Sequence, residues 1–219
     1  VYDSGMESSE ASGQAAVPAS VNVVPLPAPR LAGEVSLEES IARRRSVRDY
    51  SSTALKLEEV SQLLWAGQGI TGDAGGRSAP SAGALYPLEL YLVAGNVENL
   101  TPGVYHYRPQ GHEIALMTSQ DVRESLAGAS LEQPSVRDGA VSIVIAAVYE
   151  RTTGKYGERG TMYVHLEAGH AAQNICLQAT VLGLGAVTIG AFDDNRVKGV
   201  LSLPDSEAPL YVIPIGSLN

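Results

Sequence analysis

The chain is short of most residue types that would identify a small protein at once. It holds one cysteine, Cys176, in 219 residues, which excludes an intrachain disulfide and a cysteine-rich metal site. Phe and Trp occur once each, so aromatic surface falls to ten tyrosines, each with a polar tip. Cations are in deficit, 15 against 24 acidic residues, giving a net charge of −9 and a pI near 4.9. That balance argues against a nucleic-acid footprint. No apolar run reaches the ~18 residues expected of a membrane span. Metal ligands are equally sparse. His165-x-Glu167-x-x-His170 sets its histidines five apart, whereas one helix face needs four. His106 and His112 lie far from other ligand types and read as surface or pocket-wall residues, so no metal site is expected.

What remains is enough for one domain with an extension. Residues 1–34 are rich in Ser, Ala, Gly and Pro and follow neither a helical nor a strand period. Pro25, Pro27 and Pro29 favour an extended path, so this part reads as an arm or tail, extended or disordered, draped over a partner subunit. The chain begins at Val1, as expected of a processed or trimmed protein. A cytoplasmic location is the expectation, and an exported form lacking its signal peptide the alternative.

Residues 35–219 carry periodic structure. Ser36-Leu37-Glu38-Glu39 is a capping-box signature opening a helix to about Arg45. An amphipathic helix is predicted over 56–68, ended by Gly67 and Gly69. Residues 88–93 read as a core strand, 103–108 and 112–117 as a hairpin turned at Gly111, and 119–127 as a short helix. The run 140–148 is apolar throughout, hence a central strand. Tyr149 to Gly160 reads as a polar loop. From Met162 to Leu182 the chain reads as one long helix, apolar round most of its circumference, with Cys176 a small core residue. Such a helix must be central or intersubunit, with Tyr163, Glu167, His170, Gln173 and Asn174 as polar contacts within a packed interface. A strand over 186–189, a helix capped by Asp193 or Asp194 and running to Leu201, and a closing strand over 210–216 complete the order.

Four segments stand out chemically. Arg44-Arg45-Ser46-Val47-Arg48 follows the first helix. Cations at a helix C-terminus also complement its dipole, so the cluster has a purely structural explanation as well. Pro80-Ser81-Ala82-Gly83-Ala84 is a run of small residues feeding the 88–93 strand, where a flat ligand can approach the backbone. Ala79-x-Ser81-x-Gly83 is not a nucleophile elbow, because a strand follows the serine where that motif needs a helix. Lys155-Tyr156 lies beyond the central strand, where loops display functional groups. Thr188-Ile189-Gly190-Ala191 has its glycine after a helix, so it is not a Rossmann fingerprint.

In this order, the four segments resemble the nitroreductase superfamily, and Pro80-Ser-Ala-Gly-Ala-Leu-Tyr-Pro-Leu-Glu89 resembles its SagB/ThcOx-type dehydrogenase branch. So does the string from Leu166 to Ala179. The resemblance covers about residues 36–216. It implies an α+β nitroreductase-like fold, a mixed central sheet flanked by helices, in an interlocked homodimer with two FMN sites at the interface. By resemblance Arg44 and Ser46 hold the ribityl phosphate, with Arg45 close by, and Arg48 faces the N1/O2 edge of the flavin. Pro80, Ser81, Ala82, Gly83 and Ala84 form the flavin loop, and Thr188, Ile189, Gly190 and Ala191 line one flavin face. A backbone N–H at or beside Ala191 is expected on N5. Relatives carry a basic residue just past the position of Gly216, where this chain has Ser217. Ping-pong hydride transfer to a small-molecule acceptor is implied, with NAD(P)H as donor. In azoline-oxidising members of the branch a Lys-Tyr pair at this place is catalytic, and Lys155 and Tyr156 match it. An azoline oxidase of modified peptides is therefore one alternative, and a nonenzymatic flavin-binding protein another.

Overall fold

The computed structural model describes residues 22–72 and 75–219. Seven strands, β1 (Val23–Pro25), β2 (Leu88–Ala94), β3 (Gly103–Arg108), β4 (Glu113–Thr118), β5 (Val141–Ala147), β6 (Leu184–Ala186) and β7 (Ala208–Ser217), form one sheet in the order β1-β4-β3-β2-β5-β7-β6. Its ladders are antiparallel, and two isolated parallel bridges, Ser46–Ala186 and Leu55–Val97, tie loops to it. Seven helices surround it: α1 (Leu37–Arg43), α2 (Leu57–Gln68), α3 (Arg123–Ala129), α4 (Pro134–Asp138), α5 (Glu150–Tyr156), α6 (Arg159–Val181) and α7 (Asp194–Leu201).

The two-residue period of the strands explains the layering. In β2 and β5, Leu90, Leu92, Ile143 and Ile145 point to one face and pack with Val60, Leu63 and Leu64 of α2 and Ala168, Ala171 and Ile175 of α6. The alternate residues Tyr91, Val93, Val144 and Ala146 meet Leu126 of α3, Val136 of α4, and Val197 and Leu201 of α7. Helices therefore cover both faces, so β5 is apolar at nearly every position and buried throughout.

Several expectations need correction. The Tyr149–Gly160 loop is largely helix α5, so Lys155 and Tyr156 stand on its last turn. The helix predicted over 119–127 starts at Arg123, and α4 was not anticipated. The arm of residues 1–34 falls outside the described residues up to residue 21; beyond it, Val23–Pro25 joins the sheet edge against Glu113–Ala115. His112 is half-buried, its ring meeting Ser61 Oγ at 2.7 Å and Tyr107 Oη at 2.9 Å. Within one chain α6 is buried along one side only, and Met162 and Leu166 are about half exposed on the other. Leu31, Leu37 and Ile41 are exposed as well, at 84%, 61% and 57%.

Among the described residues no helix is long and apolar enough to cross a membrane. Because Ile145 is fully buried between the β2 and β7 ladders, Ile145→Ala is expected to cost about 2–5 kcal/mol. Chemical denaturation of both proteins measures this, and a loss below ~1 kcal/mol would contradict the central placement of β5.

Candidate active site

The segment between Ser78 and Tyr86 is a tightly held piece of surface. Ala82–Ala84 make one 3-10 turn closed by Ala84 N–H on Ser81 O at 3.1 Å. Gly83, Ala84 and Tyr86 take positive φ values of 64°, 54° and 46°. Such values are natural for glycine and strained for the other two, and strain of this kind gathers at functional sites. The loop is held from several sides. Ser81 Oγ accepts from Tyr86 N–H at 2.9 Å, and Asn174 Nδ2 donates to Ser78 O at 3.2 Å. Arg77 lies 4.8 Å above the Tyr86 ring and donates to Gln68 Oε1 at 2.9 Å. Arg151 donates to Tyr86 O at 3.0 Å. The backbone at Gly83 and Ala84 stays exposed.

Helix α5 brings the Lys-Tyr pair onto this loop. A Cβ at position 83 would lie 2.7 Å from Tyr156 Oη and 3.0 Å from Lys155 Nζ, so the two side-chain tips come up against Gly83, whose positive φ is what favours glycine there. Tyr156 packs edge-on against Tyr163 at 5.2 Å between centroids, and Arg159 covers the Tyr163 ring at 5.7 Å. The first turn of α5 is anchored by Arg151, paired with Glu89 at 2.6 Å, and Glu89 also meets His106 Nε2 at 2.8 Å. Burial pushes the Glu89 carboxyl up, but its bonds with His106 and Arg151 outweigh this, leaving it below the usual carboxylate range. His106 in turn stacks on Tyr91 at 4.9 Å.

Beneath the loop runs one stripe of α6. Tyr163, Glu167 and Asn174 recur at helical spacing and so share a face. Tyr163 meets Tyr156 of α5, Glu167 lies near Ser81, and Asn174 donates to Ser78 O. Glu167 is 2% exposed. Burial raises its pKa to about 7, with Ser81 and Arg77 acting in the opposite sense.

A second group forms around the end of α1. Val47 N–H donates to Ala186 O at 3.0 Å, and Gly185 lies so close that a Cβ there would meet Val47 Cγ1 at 2.7 Å. This contact sets the Arg44–Arg48 segment beside Thr188–Ala191. The four arginines from Arg43 to Arg48 do different things. Arg43 pairs with Glu39 one turn earlier, and Arg45 donates to Ala42 O and Arg44 O at 2.9 and 2.8 Å, closing the helix end. Arg44 is half-buried and Arg48 exposed, and among the described residues neither makes an ion pair. Thr188, Gly190 and Ala191 are exposed, whereas Ile189 turns its side chain into the core and pairs its backbone with Val212. Ala191 O accepts from Gln133 Nε2 at 3.3 Å.

Among the described residues no hydrogen bond or ion pair joins the two groups within one chain. The Arg44 guanidinium acts on Cys176, whose thiol burial pushes up, while the 78–86 loop sits on Glu167. Nine residues of helix separate Glu167 from Cys176, about 14 Å along the axis and half a turn out of phase. The loop anchors Arg77, Tyr86 and Glu89 escaped the sequence reading. All three lie in the stretch 77–89 that carries the loop, but their contacts with Gln68, Arg151 and His106 come from other parts of the chain.

The fold agrees with comparisons to known proteins. The nitroreductase family model matches residues 41–217. A protein of Methanocaldococcus jannaschii assigned as a nitroreductase is 45% identical over 183 residues, covering 84% of this chain and 91% of its own. The microcin B17-processing protein McbC of Escherichia coli is 32% identical over 151 residues, covering 65% of this chain and 55% of McbC. This chain thus spans about half of McbC's length. A solved structure from Ralstonia eutropha, also assigned as a nitroreductase, superposes with a TM-score of 0.77 at 28% identity, covering 90% of each chain. With the family model spanning the fold and both groups of site residues, the chain belongs to the nitroreductase family.

Proposed function

We propose that the protein is an FMN-dependent oxidoreductase that works as a homodimer, each flavin site formed by the Arg44–Arg48 and Thr188–Ala191 group of one protomer and the 78–86 loop and Lys155-Tyr156 of its partner. The observation that carries this reading is the separation of the two groups along α6, one set by the contacts of Glu167 and Asn174 and the other beside Cys176. The apolar surface left open by one chain supports it too. Leu31, Leu37 and Ile41, and the outer side of α6 at Met162 and Leu166, are too exposed for an isolated subunit. An open groove of about 990 Å³ runs from Leu31 and Leu37 past Trp65 to Ser78 and Asn174. Obligate interfaces of this kind bury on the order of 2,000 Å² or more.

The residues fit FMN chemically. Arg44 and Arg48 have guanidinium groups with no ion-pair partner among the described residues, as a phosphate and an electron-rich ring edge require. Ser217 supplies no third cation, so Arg44 carries most of the phosphate charge, with Ser46 beside it. Gly83 and Ala84 offer bare backbone to a flat ring, and Gly190 has no heavy atom nearer than 4.0 Å to a Cβ, leaving room for a ring face. Bound FMN would supply the two-electron chemistry at N5, with NAD(P)H as donor and a small organic acceptor. The protein's part is to seat the ring, offer a backbone N–H near Ala191 and hold a cation near N1.

A second reading concerns Lys155 and Tyr156, favoured by their direct approach to Gly83 and by the similarity to McbC. Oxidising an azoline ring removes a carbon-bound proton, and Lys155, at the edge of the loop, is placed to take it, with Tyr156 orienting the substrate. A precursor peptide and processing partners belong to this reading.

Two outcomes are expected. Purified protein should be yellow and release FMN on denaturation, and Arg44→Ala should weaken FMN binding by roughly 1.5–3 kcal/mol. A colourless protein that takes up no added FMN would refute the flavin reading. Lys155→Ala should lower azoline turnover about 10²–10⁴-fold while leaving FMN content and dithionite reduction unchanged. Transfer to a nitro or quinone acceptor should survive the same substitution. Wild type that leaves azolines untouched, with peptide and partners supplied, would remove the second reading.

A further inference from the structure

Helix α5 carries Lys155 and Tyr156 but is poorly built to hold itself. It has seven residues, a glycine in its interior at Gly154 and a left-handed end at Gly157. A helix of that length is marginal alone, and an interior glycine weakens it further. Its placement over the 78–86 loop therefore depends on what it is tied to. Among the described residues, Arg151 is the one side chain of α5 with a hydrogen bond or ion pair to another element.

We propose that Glu89 is a positioning residue for the reaction at the loop: its carboxylate holds Arg151, and through Arg151 sets Lys155 and Tyr156 over Gly83. The catalytic consequence rests on the Lys155-Tyr156 reading above; the clamp itself does not. The carboxylate is divided between two elements. Oε1 takes Arg151 Nη2 at 2.6 Å, and Oε2 meets Nε2 of His106, on β3, at 2.8 Å. The Glu89 side chain is only 16% exposed, and His106 is braced on the Tyr91 ring. Glu89 is thus fixed by the sheet on the side away from α5.

Arg151 is divided in turn. While Nη2 faces Glu89, Nη1 donates to Tyr86 O at 3.0 Å. A guanidinium is a planar, rigid fork, so engaging both partners at once leaves it little freedom. Tyr86 stands at a positive φ of 46°, and the same fork therefore holds the strained end of the loop. Strand β2, the loop and α5 meet at this one guanidinium.

Lys155 follows Arg151 by four residues, so both project from one face of α5. That face is turned to the loop, with Arg151 at Tyr86 and Lys155 at Gly83. Without the carboxylate, Arg151 keeps a single neutral acceptor and α5 loses its tie to the sheet. Misplacing a reacting group by about 1 Å can cost on the order of 10²-fold in rate. The damage should be selective. Azoline oxidation needs the base at the loop, whereas transfer to a nitro or quinone acceptor does not.

Two variants separate charge from reach. Glu89→Gln keeps the shape and removes the charge, and Arg151→Lys keeps the charge and removes the two-armed fork. Each should lower kcat for azoline oxidation on the order of 10²-fold with KM little changed. At saturating FMN, dithionite reduction and transfer to a quinone should stay at the wild-type level. The losses should not add, and the double variant should be no slower than either single one. Hydrogen exchange of the FMN-free proteins gives an arm independent of activity. Amides of α5 should exchange several-fold faster in both variants, while those of β5 and α6 keep wild-type protection. Unchanged α5 exchange, or a uniform loss that includes β5 and α6, overturns the proposal. So do equal losses of azoline and quinone turnover, or an azoline kcat that holds while α5 loosens. If Glu89→Gln does not fold, Arg151→Lys, altered at a half-exposed side chain, decides alone. Wild type that leaves azolines untouched would refute the Lys155-Tyr156 reading, with the exchange arm still deciding whether Glu89 positions α5.

Discussion

The packing of α6 is the constraint on which the rest of the structure depends. Ala168, Ala171 and Ala172 are small enough to let the helix lie close on the sheet. That fixes the direction in which the neighbouring stripe, Tyr163, Glu167 and Asn174, must face. The 78–86 loop is laid along this stripe, and α5 is laid on the loop. The C-terminal half of the same helix supports α1 and the Arg44–Arg48 segment. One helix therefore sets the position of both groups and keeps them apart.

Much of this was legible in the sequence, for identifiable reasons. β5 announces itself because a strand covered on both faces has little polar to show, Ser142 alone. Ser36 and Asp193 cap α1 and α7 as their residue types predict, accepting from Glu39 and Arg196 N–H at 3.1 and 2.9 Å. Helix α5 was not legible, because Gly154 and Gly157 break the pattern. In the fold Gly157 ends the helix at φ 57°, while Gly154 sits inside it facing open space, at a propensity cost of about 1 kcal/mol. Helix α2 starts without Ser, Thr, Asp or Asn. Glu59 reaches back to accept from Lys56 N–H at 2.7 Å, a bond that the identity of residue 56 does not reveal.

The site was legible as motifs and not as geometry. Family resemblance placed Arg45 and Ile189 among the flavin contacts. Here Arg45 is committed to the carbonyls ending α1, and Ile189 buries its side chain among Val187 and Val212. Both lie beside residues that stay exposed, so proximity in sequence could not separate them. Long-range partners were harder still. Arg77, Glu89 and His106 are joined only by the way β2, β3 and the loop converge, and single-sequence periodicity carries no such information.

The central claim is that each site draws its two groups from different protomers. Complementation between disabled chains tests it most directly. Arg44→Ala disables the first group and Lys155→Ala the second, and neither homodimer should carry out the reaction that needs both. If sites are shared, a mixed dimer holds one doubly damaged site and one intact site. Unfolding and refolding the two variants together should then restore azoline turnover, approaching half the wild-type rate per mixed dimer. If both groups serve one site within a single chain, every site in the mixture stays damaged, and activity no higher than that of the separate variants would contradict the account.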